Sequence, residues 1–173
     1  MENNYKTCPG CGGKFPNQNL EDSDQYNALG ECEKLYHELS AYLIMNPDIS
    51  FPTQHIVDAY GAQHSGRKVK NIRTAFSLIG LYLALECGYS GRQVQKAHIE
   101  LAKRNIQWPS FDLPSNPYNF SVQDVLDEEE GANRNEMLMK WAKNVWITWE
   151  HYHKWTIEIC KKYLNDFFTT ENK

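Results

Sequence analysis

An all-α helical bundle of about five or six helices, with a small zinc-knuckle-like loop at its amino end, is the fold this sequence predicts, and three observations predict it. Apolar residues recur at steps of three and four along most of the chain, and strand-like alternation is scarce. The one irregular stretch, Cys8-Pro9-Gly10-Cys11-Gly12-Gly13, has the spacing of a metal-gripping turn. With 173 residues the chain suits a single domain over 1–173, divided into a knuckle and loop at 1–22 and a helical body at 23–168.

The elements follow in order. Short strands are expected on either side of the knuckle, at Tyr5–Thr7 and Lys14–Phe15, and a polar loop after them. Ser23 or Asp24 can cap a first helix running to about Asn46, with Leu29, Cys32, Leu35, Tyr36, Leu39 and Leu43 on its apolar stripe. Pro52 suits the first turn of a second helix ending near Gly66. At about 100° per residue its Ile56, Val57, Tyr60, Gln63 and His64 share one face, with His55, Asp58 and Ala62 opposite. That wheel turns His64 inward and leaves His55, like His37, on the surface.

Val69 to about Cys87 is the most apolar stretch and is expected to be the core helix, closed by Gly88. Ser90 with Gln93 forms a capping box for a helix to about Asn105, with Val94, Ala97, His98 and Leu101 inward. Three prolines between Trp108 and Pro117 exclude regular structure there. Ser121 with Asp124 opens a short helix that ends in the acidic run Asp127–Glu130, read as a solvated connection. One long helix is predicted from about Arg134 to Phe168, with Leu138, Trp141, Val145, Trp149, Tyr152, Thr156, Ile159 and Tyr163 in a stripe and His153 beside it.

Composition narrows the function classes. The formal charge of −4 weighs against nucleic acid as a partner, because such binding rests on neutralising phosphates. The longest apolar run, Ala75–Leu85, is too short to cross a bilayer. No apolar segment follows Met1, as expected of a cytoplasmic protein. Five cysteines, an odd number, in a reducing compartment argue for metal or redox use of the close pair rather than a disulfide framework, and the βαβ pattern that usually carries a redox pair is missing.

Cys8, Cys11 and Cys32 form the strongest constellation. Thiolates with an imidazole select zinc over calcium or magnesium, and such an ion would staple the irregular amino end to the first helix. The fourth ligand is left to a histidine, a carboxylate or water, and the inward His64 and His153 are the histidine candidates for the metal. The alternative for Cys32 is a small buried residue on an apolar stripe, and for either histidine a hydrogen-bonded core residue. Asp58, Tyr60, Gln63 and Trp149 are candidates for lining a pocket beside the site. Arg67, Lys68, Lys70 and Arg73 make a basic patch that could hold an anion, or simply face solvent.

Several of these stretches together resemble an uncharacterised bacterial family of unknown function. They are Cys8-Pro-Gly-Cys-Gly-Gly, Cys32 followed by Leu35-Tyr36, Val57-Asp-Ala-Tyr-Gly-Ala-Gln63-His64-Ser-Gly66, and Val145-Trp146-x-x-Trp149 with His153. The chain departs from that family's pattern at Thr53 and Tyr152, where histidine is expected, and at Ser65, where proline is expected. The resemblance implies no reaction. Three readings of function follow: a small cytoplasmic zinc protein whose metal is mainly structural, with a pocket near His64 and His153 for a small-molecule or protein ligand; a metal-dependent helical-bundle hydrolase or transferase using the inward histidines; or a module that presents the knuckle to protein or nucleic acid.

Overall fold

The computed structural model describes residues 4–66 and 68–171. An antiparallel hairpin, β1 (Tyr5–Thr7) and β2 (Lys14–Pro16), is followed by seven α-helices among the described residues: α1 (Gly30–Met45), α2 (Thr53–Gln63), α3 (Asn71–Leu85), α4 (Gly91–Ala102), α5 (Val122–Asp127), α6 (Ala132–Thr148) and α7 (His153–Glu171). A single 3-10 turn, Glu150–Tyr152, joins the last two. The fold is all-α, as the periodicity predicts, and no described helix is long and apolar enough to cross a membrane.

The central element is α2, which packs on α1, α3, α4 and α6 and buries every residue except Thr53 and Val57. This corrects the helical-wheel expectation for His55, which is 6% exposed. Helices α3 and α4 both pack on α2, with Gly80 of α3 against Asp58 and Gly91 of α4 against Gln54, and so cover most of the side that the wheel leaves to solvent. One cluster of buried side chains joins the hairpin, α1, α2, α5 and α6 around Leu39, Ile56, Tyr60 and Trp141. A second joins α3, α4 and α7 around Ile79, Val94, Leu101 and Leu164.

Both capping boxes form: the Ser90 hydroxyl accepts from the Gln93 N–H, and Ser121 pairs in the same way with Asp124. Two boundaries differ from expectation by more than a helical turn. Helix α1 starts at Gly30, because the Ser23 hydroxyl accepts from the N–H groups of Gln25 and Tyr26 and so closes a tight turn instead of opening a helix. The predicted long last helix is two helices. The N–H of Trp149 turns back onto the carbonyls of Val145 and Trp146, and the His153 ring donates from Nε2 to Trp146 O at 2.8 Å, so the end of α6 is capped by a side chain seven residues on.

Candidate metal centre

The hairpin presents its cysteines on a closed turn. Cys8 N–H donates to Gly13 O at 2.8 Å and Gly12 N–H to Cys8 O at 2.9 Å. Gly12 sits at φ +74°, which favours glycine, and Gly13 N–H points at Cys11 Sγ at 3.4 Å. Gly10 is required for a different reason. A Cβ there would lie 2.6 Å from Asn27 O and overlap the His64 ring, so only glycine lets the turn lie flat on the end of α2.

Two further segments complete the arrangement. Cys32, the third residue of α1, is fully buried, with its Sγ 3.9 Å from Cys11 Sγ. His64, at the C-terminal cap of α2, is fully buried too, with Nε2 3.3 Å from Cys32 Sγ. Its Nδ1 lies 2.9 Å from Tyr60 O. A carbonyl only accepts, so Nδ1 carries the proton and Nε2 presents a lone pair to the sulfurs, the orientation a ligating imidazole needs. Tyr60 also stacks on the His64 ring at 3.9 Å, and its hydroxyl donates towards Cys32 Sγ at 3.7 Å.

The donor atoms of Cys8, Cys11, Cys32 and His64 all lie within 4.8 Å of one another. Tetrahedral zinc, with Zn–S of about 2.3 Å and Zn–N of about 2.0 Å, separates its sulfurs by about 3.8 Å and sulfur from nitrogen by about 3.5 Å. The observed 3.9 Å and 3.3 Å fit that cage. Protonation tells the same story. Hydrogen bonds from Cys11 and Cys32 hold the Cys8 thiol well below its ordinary range, against the effect of burial. At Cys11 the hydrogen bond with Cys32 pulls downward, but the bond and charge of Cys8 and burial outweigh it and push the thiol up to about 12. Hydrogen bonds with Cys11 and Cys8, then burial, drive Cys32 higher still. Burial and mutual repulsion oppose three thiolates side by side, and a divalent ion would offset both.

The structure brings together four of the five residues the sequence singles out for a metal and leaves the fifth apart. His153 stacks on Trp146 at 3.7 Å, and its Nε2 is committed to Trp146 O. Among the pocket candidates, Gln63 bridges the core: Trp141 Nε1 donates to its Oε1 at 2.9 Å, and its Nε2 donates to Phe120 O at 2.7 Å. It also lines a cavity of about 270 Å³ with Cys11 and the Leu113–Tyr118 segment. Trp149 is fully buried and donates from Nε1 to Tyr118 OH at 3.0 Å, which anchors that proline-rich segment over the site. Neither Tyr118 nor the close approach of Gly10 to His64 is evident from the chain alone. The one signal was the proline run, which marks a wrapping segment without showing what it wraps.

A model described as a family of unknown function (DUF5946) matches residues 6–150. No curated protein and no solved structure matches the chain.

Proposed function

For a chain that belongs to the family of unknown function DUF5946, we propose from the site itself that Cys8, Cys11, Cys32 and His64 hold one zinc ion whose role is mainly structural. The observation that carries this reading is the closed donor set: three sulfurs and one correctly oriented imidazole, from a hairpin, α1 and α2, all within 4.8 Å. Four protein ligands leave no position for a water nucleophile, which separates a structural zinc from a catalytic one. The ion would supply folding free energy that a three-residue-strand hairpin lacks by itself. The thiols suit a reducing cytoplasm, and the chain folds as one domain over 1–173. The cavity beside Cys11 and Gln63 is the place for a small-molecule or protein ligand.

An enzyme using paired histidines has less support, because His153 faces Trp146 rather than the sulfurs. Elemental analysis of protein purified without added metal should return about one zinc per chain, the stoichiometry of a closed four-ligand site. Cys32→Ser and His64→Ala should each lose the metal and cooperative folding together, while His153→Ala should keep a full complement of zinc. Folded wild-type protein without metal would refute the proposal, as would a His64→Ala variant with undiminished zinc.

A further inference from the structure

A second crevice, of about 300 Å³, opens away from the cysteines between α2, α3 and α4. At its floor is Asp58, 2% exposed. Its only side-chain hydrogen-bond partner among the described residues is Gln54, whose Nε2 lies 3.1 Å from both carboxyl oxygens. A carboxylate can accept about four hydrogen bonds, so most of its capacity is open. Helix α3 is shaped for this group: a Cβ at Gly80 would overlap Asp58 Oδ2, so the carboxyl occupies the space of a missing side chain. Burying an acid and placing glycine inside a helix both lower stability, and an apolar pair would pack the same interface better. Burial pushes the Asp58 carboxyl well above its usual range, although the Gln54 amide pulls it down.

The mouth carries the opposite charge. Arg73 is half-buried, lies 5.0 Å over the Tyr26 ring and donates from Nη1 to Tyr26 OH at 3.3 Å, and Lys70 stands exposed beside it. Neither has an ion-pair partner among the described residues. These two belong to the basic patch read from the sequence; Arg67 of that patch lies outside the described residues. Arg73 and Gly80 are seven residues apart on α3, two turns on one face, so floor and mouth are separated by about 10 Å along the helix. Between them Val57 and Phe76 give apolar walls.

We propose that this crevice binds an elongated zwitterion, a primary amine joined to a carboxylate by an aliphatic stem of about five carbons, with the ammonium at Asp58 and the carboxylate at Arg73 and Lys70. Lysine and 6-aminohexanoate have this form. An α-amino acid with an apolar side chain does not, because its two charges sit on one carbon. The inference is independent of the zinc reading, since no residue is shared.

Isothermal titration of the zinc-loaded full chain tests it with four probes: L-lysine, 6-aminohexanoate, cadaverine, which lacks the carboxylate, and hexanoate, which lacks the amine. Saturable binding is expected for the first two, weakened at least about tenfold in the latter pair, the loss expected when a charged group has no partner. Asp58→Asn and Arg73→Gln should each lower affinity for 6-aminohexanoate about tenfold or more while leaving zinc content unchanged. Gly80→Ala, which fills the seat of the carboxyl, serves as a second variant if Asp58→Asn folds poorly. Absence of saturable binding by lysine and 6-aminohexanoate overturns the proposal, as does cadaverine binding as tightly as 6-aminohexanoate, or affinity unchanged in both Asp58→Asn and Gly80→Ala.

Discussion

Replacing Gly10 with alanine tests whether the knuckle must lie against α2 for the site to form. The added methyl would stand 2.6 Å from Asn27 O and against the His64 ring. Van der Waals contact for such a pair is about 3.5 Å, so the turn has to lift by nearly 1 Å or His64 has to move. Neither side yields easily: Asn27 N–H is bonded to His64 O at 2.8 Å, and the His64 ring is held by Tyr60 O and by stacking. Overpacking of this kind costs about 1–3 kcal/mol. If the strain is expressed in the metal-bound state, zinc affinity falls by about 5- to 150-fold. Gly12→Ala is the control. Its Cβ would meet nothing within 4 Å, so only the φ of +74° opposes it, at about 1 kcal/mol. Urea unfolding with and without bound zinc, together with competition for zinc against a chromophoric chelator, should rank Gly10→Ala well below Gly12→Ala in both stability and affinity. If Gly10→Ala matches wild type in both, or Gly12→Ala is the weaker binder, the contact between knuckle and α2 does not control the site.

Two further outcomes follow from buried polar groups. Trp141→Phe removes the N–H donated to Gln63 Oε1 and leaves that oxygen buried without its partner, so urea unfolding should show a loss of about 2–4 kcal/mol; a loss below about 0.5 kcal/mol would mean that the Gln63 bridge carries no stability. Burial holds the His98 ring down to about 4, against 6.5 for the free side chain, although its Nε2–H donates to Phe76 O. A histidine depressed in the folded state contributes fully above about pH 6.5, and that contribution is lost as pH falls from there towards 4. Because the ring is only half-buried, the expected loss is on the order of 1–2 kcal/mol. His98→Gln should therefore lose less stability than wild type between pH 7 and pH 5, and parallel curves would refute the assignment.

The elements legible in the sequence are those whose cause is local. The paired strands around the knuckle and the Ser90–Gln93 and Ser121–Asp124 capping boxes each depend on residues a few positions apart, and each forms. What could not be read depends on distant partners. Ser23 is a plausible helix cap until its hydroxyl is found closing a turn on Tyr26. His55 and Asp58 fall on the polar side of a helical wheel, yet α3 and α4 bury them.

The two histidines make the distinction sharpest. Both His64 and His153 lie inward by periodicity, so burial cannot separate them as metal ligands. The partner of the second ring nitrogen does. In α2 the carbonyl of Tyr60, four residues before His64, takes Nδ1–H and leaves Nε2 facing Cys32. At His153 the helix breaks, the carbonyl of Trp146 accepts from the N–H of Trp149, three residues on, and the His153 Nε2–H donates to that same oxygen. At the C-terminal cap of α2 one imidazole keeps its outer nitrogen towards the sulfurs, while the same nitrogen of the other imidazole caps α6. Which histidine presents a free ring nitrogen to the sulfurs thus depends on the backbone oxygen its other nitrogen meets, a property no periodicity of side chains records.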